Sequence, residues 1–193
     1  MTKFPGLRTW ALLLALCLAA AAAGAGEEAL WLKLQEGRYT IFVRHSLAPG
    51  TGDPENFKLE DCRTQRNLSF EGQAQARRIG EAFRRRQIPV GEVRSSRWCR
   101  CLETARLAFG NADPWPALDS NYNDRAQRRE DKNRAVLEYL LANPPRGGNR
   151  VLVTHNFNIR DLTGVSPASA EMVVVEPDGT GGLRVLGTLA VPR

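Results

Sequence analysis

The chain has two histidines, His45 and His155, and each closes a short apolar run. Tyr39-Thr40-Ile41-Phe42-Val43 is aromatic and β-branched and reads as a buried strand. It ends in Arg44-His45. Val151-Leu152-Val153-Thr154 reads the same way and ends in His155. A strand that stops at Arg-His carries a cation and an imidazole to its carboxyl edge, which is where ligands bind in α/β sheets. One strand-end histidine is more often structural. Two in one chain are candidates for one rim of one sheet. Arg100 is the third residue of interest. It falls in the first turn of a helix that Ser95 or Ser96 can cap, beside unpaired backbone N–H groups, and such an arginine makes a seat for phosphate. Taken alone, a surface ion pair is the plainer account of it.

The elements that must position these residues follow in order. Residues 27–37 form a short helix or arm ended by Gly37. After the Arg44-His45 strand comes a long polar loop, 46–66, of the kind that is more often functional than idle. Ser69 caps a helix over 70–86 whose inner face is Ala76, Ile79, Gly80 and Phe83. Its terminal Arg84-Arg85-Arg86 suits the helix dipole and reads as a solvated turn. A short strand, 90–94, precedes the Arg100 helix, whose buried side is expected to be Leu102, Ala105 and Phe109. An acidic loop over 110–124 leads to an amphipathic helix, 125–141, with Val136, Leu137, Leu140 and Leu141 facing inward. The His155 strand, a short helix over 156–162 and two last strands, 171–176 and 183–189, complete the chain. The order β, α, β, α, α, β, α, β, β predicts an α/β three-layer sandwich, a mostly parallel sheet flanked by helices.

At 193 residues the chain holds one domain. Its 42% hydrophobic and 25% charged content is ordinary for a globular protein. A formal charge of +6 favours anionic partners without choosing among them. Lys3 and Arg8, an uncharged run from Trp10 to Ala23 and Ala-Gly repeats make residues 1–25 a secretory signal peptide, leaving 27–193 as the domain. The apolar run is short for a span of ~20 residues, so no stable membrane anchor is expected after cleavage. Location is then periplasmic or secreted. Export changes the meaning of Cys62, Cys99 and Cys101, because two of them can pair in an oxidising compartment. Cys62 with either Cys99 or Cys101 is the expected link. No zinc-ligand spacing is present, so no structural metal is expected.

Four segments in order resemble the histidine phosphatase superfamily, the phosphoglycerate mutase-like fold. Arg44-His45 resembles its Arg-His-Gly motif. Leu68-Ser69-Phe70-Glu71-Gly72 resembles its Leu-Ser/Thr-x-x-Gly segment. Ser95-Ser96-Arg97-Trp98-Cys99-Arg100-Cys101-Leu102-Glu103-Thr104-Ala105 resembles its Ser-Ser-x-x-x-Arg-x-x-x-Thr-Ala signature. Thr154-His155 resembles its second histidine. Each is weak alone; four in sequence are strong. Thr154-His155-Asn156-Phe157-Asn158-Ile159, with the signal peptide, looks most like the small exported branch that includes lipopolysaccharide core heptose phosphatase-like proteins.

The resemblance implies an exported phosphomonoesterase without metal or organic cofactor. His45 would attack phosphorus and form a phosphohistidine that water hydrolyses. Arg44 and Arg100 would hold the phosphoryl oxygens. His155 would stabilise charge on the transferring group, and Asn158 is placed to contact phosphate or substrate. The sequence departs from the family in two places. Ser46 replaces a glycine, a small change. The acid that protonates the leaving oxygen is not at its family position, because Asn156 follows His155. Asp119 and Glu171 are the candidates, and Glu171, opening a strand near the rim, is favoured. The expected partner is a phosphorylated small molecule or glycan, such as an envelope sugar phosphate. The alternatives are a mutase, for which few shielding insertions are present, and an inactive relative that binds phosphorylated glycans or lipids. Nucleic acid is not an expected partner, since the arginines lack aromatic interleaving.

Overall fold

The computed structural model describes residues 25–191. The expected signal peptide, residues 1–25, lies outside them except for its last residue. Among the described residues no helix is long and apolar enough to cross a membrane.

Six strands form one sheet: β1 (Thr40–Arg44), β2 (Val90–Ser95), β3 (Asp113–Pro114), β4 (Asn149–Thr154), β5 (Met172–Pro177) and β6 (Leu183–Leu189). Their spatial order is β3-β2-β4-β1-β5-β6. The pairings from β3 through β1 are parallel, while β5 runs antiparallel to β1 and β6 to β5. The parallel half is reached by helical crossovers, which parallel strands require. The antiparallel edge ends in a tight hairpin, where Asp178 Oδ1 accepts from the N–H groups of Thr180 and Gly182.

The sheet buries both faces, and the strands alternate accordingly. Ile41 and Val43 of β1, Val151 and Val153 of β4, and Met172 and Val174 of β5 point to one side. Phe42, Leu152, Val173 and Val175 point to the other. The first side is covered by α1 (25–34), α2 (Phe70–Arg85) and α3 (Cys99–Phe109), through Leu30, Trp31, Leu34, Ile79, Phe83 and Ala105. The second is covered by α4 (Ala126–Ala142) and α5 (Asn156–Thr163), through Val136, Leu140 and Ile159. The result is the three-layer α/β sandwich.

Several local expectations change. The residues 27–37 arm is a packed helix rather than a peripheral one, with Trp31 ring-edge on Phe83 at 5.5 Å. In α4, Leu141 is exposed, and Leu118 from the 3-10 turn Pro116–Leu118 fills the core beside Val136. In α3, Leu102 and Phe109 are only half-buried, and the small residues Cys101, Thr104, Ala105 and Ala108 face inward. The cause is how closely α2 crosses α3. Gly80 lies against the backbone of Ala108, where an added Cβ would come within 2.1 Å of the carbonyl oxygen. That contact cannot yield, because backbone lies on both sides. Gly80→Ala is expected to destabilise the fold by about 1–3 kcal/mol, read as a lower denaturation midpoint. An unchanged midpoint would show that the two helices are free to separate.

Candidate active site

Parallel pairing sets the site. Arg44 pairs with Thr154 and Ser95 with Val153 in register, so the residues that follow emerge together at one edge. His45 N–H donates to the Thr154 carbonyl at 2.9 Å, and Ser96 N–H to the Val153 carbonyl at 2.9 Å. The two imidazoles stand with ring centroids 5.4 Å apart. Both are buried at the floor of a cavity of about 890 Å³, which Arg44, Arg66, Arg97 and Arg100 also line.

The tautomer of His45 follows from its partner. Nδ1 lies 2.8 Å from the Ser46 carbonyl, which can only accept, so Nδ1 carries the proton. Nε2 keeps its lone pair and makes no hydrogen bond among the described residues. Burial first, and then the Arg100 charge, push the His45 pKa from 6.5 down to about 3. His45 is therefore neutral, the form in which an imidazole can act as a nucleophile. His155 is also driven well below its ordinary value, by burial and then by His45 and Arg100.

His155 Nε2 lies 2.9 Å from the Ser96 hydroxyl, whose oxygen is 3.4 Å from Asp119 Oδ1. That hydroxyl has one proton. Were His155 to become imidazolium, Nε2–H would donate to Ser96 and the Ser96 proton would turn to the carboxylate of Asp119. The chain Asp119–Ser96–His155 thus favours protonating His155 when an anion arrives. Ser96 serves this chain rather than capping α3, whose N-cap is Trp98. Cys101, buried 3.5 Å from the same Nε2, stays a thiol because burial raises its pKa to about 12.

The cations divide into two kinds. Arg97 is held by Asp119, and Arg100 by Asp53. Arg44 and Arg66 have no carboxylate partner among the described residues; Arg44 donates to the Pro167 carbonyl and Arg66 to the carbonyls of Ala48 and Gly52. The Nε groups of Arg44 and Arg100 are buried without any partner. Buried N–H donors are nearly always satisfied, so two unpartnered Nε–H groups on arginines that line the cavity with His45 can seat an oxyanion. Thr104 steadies it, accepting from Ser46 N–H at 3.0 Å and donating to the Arg100 carbonyl at 2.7 Å.

The loop over 46–66 walls the cavity. A Cys62–Cys99 disulfide ties it to the start of α3, which decides the cysteine pairing and leaves Cys101 free. Closing a loop of 37 residues contributes about 4 kcal/mol in the chain-entropy account. Phe57 of this loop stacks on Trp98 at 5.2 Å, and Tyr122 meets Phe157 at 5.5 Å; all four line the cavity.

Arg44, His45, Arg100 and His155 therefore meet as expected. Two other expected residues do not join them. Asn158 is buried, but its side chain bridges the Asp119 carbonyl and Asn121 N–H, and Asn156 lines the cavity instead. Glu171 does not open a strand but lies one residue before β5, and its carboxylate turns back to accept from Ala168 N–H, off the cavity lining. Asp119 lines the cavity but pairs with Arg97. Asp53, Arg66, Trp98 and the aromatic walls were not singled out from sequence, because nothing local in a polar loop says which way it folds. Among the described residues no cluster of three or more His, Cys, Asp or Glu side chains is arranged to hold a metal ion.

No model of a known protein family and no curated protein sequence matches the chain. Solved structures do match. The protein histidine phosphatase SixA complexed with tungstate aligns at 13% identity and TM-score 0.55, over 79% of this chain and 96% of that one. The chain has the histidine phosphatase fold. A phosphoserine phosphatase from Entamoeba histolytica in complex with phosphoserine aligns at 13% identity and TM-score 0.57, over 79% and 97%. A SixA from Agrobacterium tumefaciens aligns at 22% identity and TM-score 0.51, over 81% and 99%.

Neutral buried histidines make stability depend on pH. His45 takes a proton near pH 3 when folded and near 6.5 when unfolded. Between those values the unfolded chain binds more protons, so stability is complete above about pH 6.5 and falls as pH drops toward 3. The slope is expected to approach about 1.4 kcal/mol per pH unit for each such histidine. Denaturation midpoints measured across this window should fall less steeply in His45→Gln; an equal slope would mean that His45 is not the titrating group.

Proposed function

We propose that the chain is a phosphomonoesterase that works through a phosphohistidine on His45. The observation that carries this reading is the unprotonated Nε2 of a neutral His45 beside the unpartnered Nε groups of Arg44 and Arg100. A phosphomonoester dianion repels nucleophiles until its charge is met. One unit charge pair at 4 Å contributes about 4 kcal/mol at an effective dielectric constant of 20, so Arg44 and Arg66, free of carboxylates, favour a dianion over a neutral ligand. The ligands of the matching structures, tungstate and phosphoserine, are an oxyanion and a phosphomonoester.

In the proposed sequence Nε2 of His45 attacks phosphorus as the bond to the leaving oxygen breaks. The leaving oxygen takes the electron pair and then a proton from solvent water. His155, protonated as the dianion enters, donates to the phosphoryl group while Ser96 and Asp119 accept in turn. Water then attacks the phosphohistidine, releasing inorganic phosphate and restoring His45. Neither a metal nor an organic cofactor takes part. With Glu171 turned away and Asp119 on Arg97, leaving groups that need little protonation should react fastest.

The aromatic walls support a substrate whose leaving group offers flat or C–H faces, such as a sugar. The disulfide and the apolar residues 10–23 support export to a periplasm or outside the cell. An envelope sugar phosphate fits both. A second reading, a protein that binds phosphorylated glycans without turnover, is favoured by one feature: Asp53, Asp119 and Asp124 are each held by cations, which suits none of them to give up a proton.

Hydrolysis of an aryl phosphate in the presence of chelator decides between them. Turnover is expected, faster than for an alkyl phosphate, and His45→Ala should lower it by about a thousandfold or more. Phosphate binding without turnover would establish the second reading. Equal turnover by the variant would overturn the role of His45.

A further inference from the structure

Arg100 faces a conflict. It is placed to bind phosphate, yet it already holds a carboxylate. Nη1 donates to Asp53 Oδ1 at 2.7 Å and Nη2 to Oδ2 at 3.3 Å, and Nη1 also donates to the Arg66 carbonyl at 3.3 Å. A guanidinium has five N–H donors. These contacts use three of them. The two that remain, Nε–H and the second Nη2–H, lie along one edge of the planar group and form a fork that matches two oxygens of a phosphoryl group. Nε is the atom found buried without a partner.

Asp53 is itself fixed. Beyond Arg100, Oδ2 accepts from Trp98 Nε1 at 2.9 Å and Oδ1 from Arg66 N–H at 3.1 Å. Burial alone would raise its pKa, but the hydrogen bonds from Arg100 and Trp98 and the Arg100 charge outweigh this and hold it below the ordinary value. The loop that carries it is bonded through Cys62 to Cys99, the residue before Arg100. Gln65 of the same loop accepts from Cys99 N–H at 3.0 Å.

We propose that Asp53 is the positioning residue of the phosphate site: it pairs end-on with Arg100 and so presents the Nε edge of Arg100 to the phosphoryl oxygens. The inference rests on the phosphatase reading of the same site. The opposite role for this contact is a carboxylate that occupies the place of phosphate and is expelled when substrate enters. Expulsion would break four hydrogen bonds, two of them from a cation, and would leave Trp98 Nε1 unpartnered. The anchoring favours positioning.

The two roles predict opposite signs. Binding of inorganic phosphate is measured by calorimetry on wild type, Asp53→Ala and Asp53→Asn, beside steady-state hydrolysis of an aryl phosphate and thermal unfolding. Asp53→Ala is expected to bind phosphate at least about tenfold more weakly, with KM rising in step and kcat falling less. Asp53→Asn keeps one acceptor for Arg100 and should recover part of the loss, which a purely structural role would not produce. Should Asp53→Ala fail to fold, a folded Asp53→Asn with affinity between about threefold and tenfold below wild type carries the expectation. Wild-type or tighter phosphate binding in either folded variant would overturn the proposal. Failure of wild type itself to bind phosphate would instead sink the reading of the site, so the two fail separately.

Discussion

Everything at the rim depends on the register of β1 against β4. Arg44 opposite Thr154 makes His45 and His155 neighbours, and a parallel pairing makes them leave the sheet in the same direction. A slip of one residue would turn one imidazole to the opposite face. Two apolar layers prevent that slip, because Phe42 and Leu152 pack on one side of the sheet while Val43 and Val153 pack on the other. The geometry of the rim is thus held by hydrophobic burial two and three residues away. The polar contacts at the rim refine a position that the core has already chosen.

Burying those imidazoles raises an electrostatic question that the surrounding charges answer. Burial first, and then the arginines at the cavity floor, keep both histidines neutral, and uncompensated cations there would be costly in turn. Asp53 and Asp119 compensate two of the four, Arg100 and Arg97. Arg44 and Arg66 are left with backbone carbonyls. That leaves two guanidinium charges at the cavity without a carboxylate partner among the described residues, which suits an anion. Asp119 acts twice, holding Arg97 and, through Ser96, favouring the charged form of His155 once a dianion balances it. A carboxylate engaged in this way is well suited to orient its neighbours and poorly suited to give up a proton.

The elements that carry the four motif segments were legible in the sequence because each is short-range. Strand-end histidines, the Ser69 cap, which accepts from Gly72 N–H at 3.0 Å, and the face of α2 all follow from local spacing. Arg100 was legible because its position in the first turn of a helix is also local. What failed required knowing where a side chain turns. Glu171 sits one residue before β5 rather than opening it, and its carboxylate satisfies the N–H of the turn before it, beside Ala170 in the left-handed region at φ 64°. Asn158 lies on the expected helix, yet the buried backbone of residues 119–121 claims both ends of its amide. Unsatisfied backbone groups outcompete a ligand for a nearby polar side chain, and sequence spacing does not reveal that competition.

The loop over 46–66 shows the same limit more sharply. It has no periodicity to read, and it closes through contacts with residues far along the chain: Asp53 with Trp98 and Arg100, Gln65 with Cys99, Phe57 on Trp98. The disulfide fixes one end of it against α3. The loop therefore does two jobs that the sheet cannot do. Its Asp53 holds Arg100 at the cavity. Its Phe57 adds one aromatic ring to the cavity wall, stacked on Trp98. Under the proposed phosphatase reading, Phe57 would touch the leaving group while Asp53 holds Arg100 at the phosphate, so one tethered segment would carry both contacts.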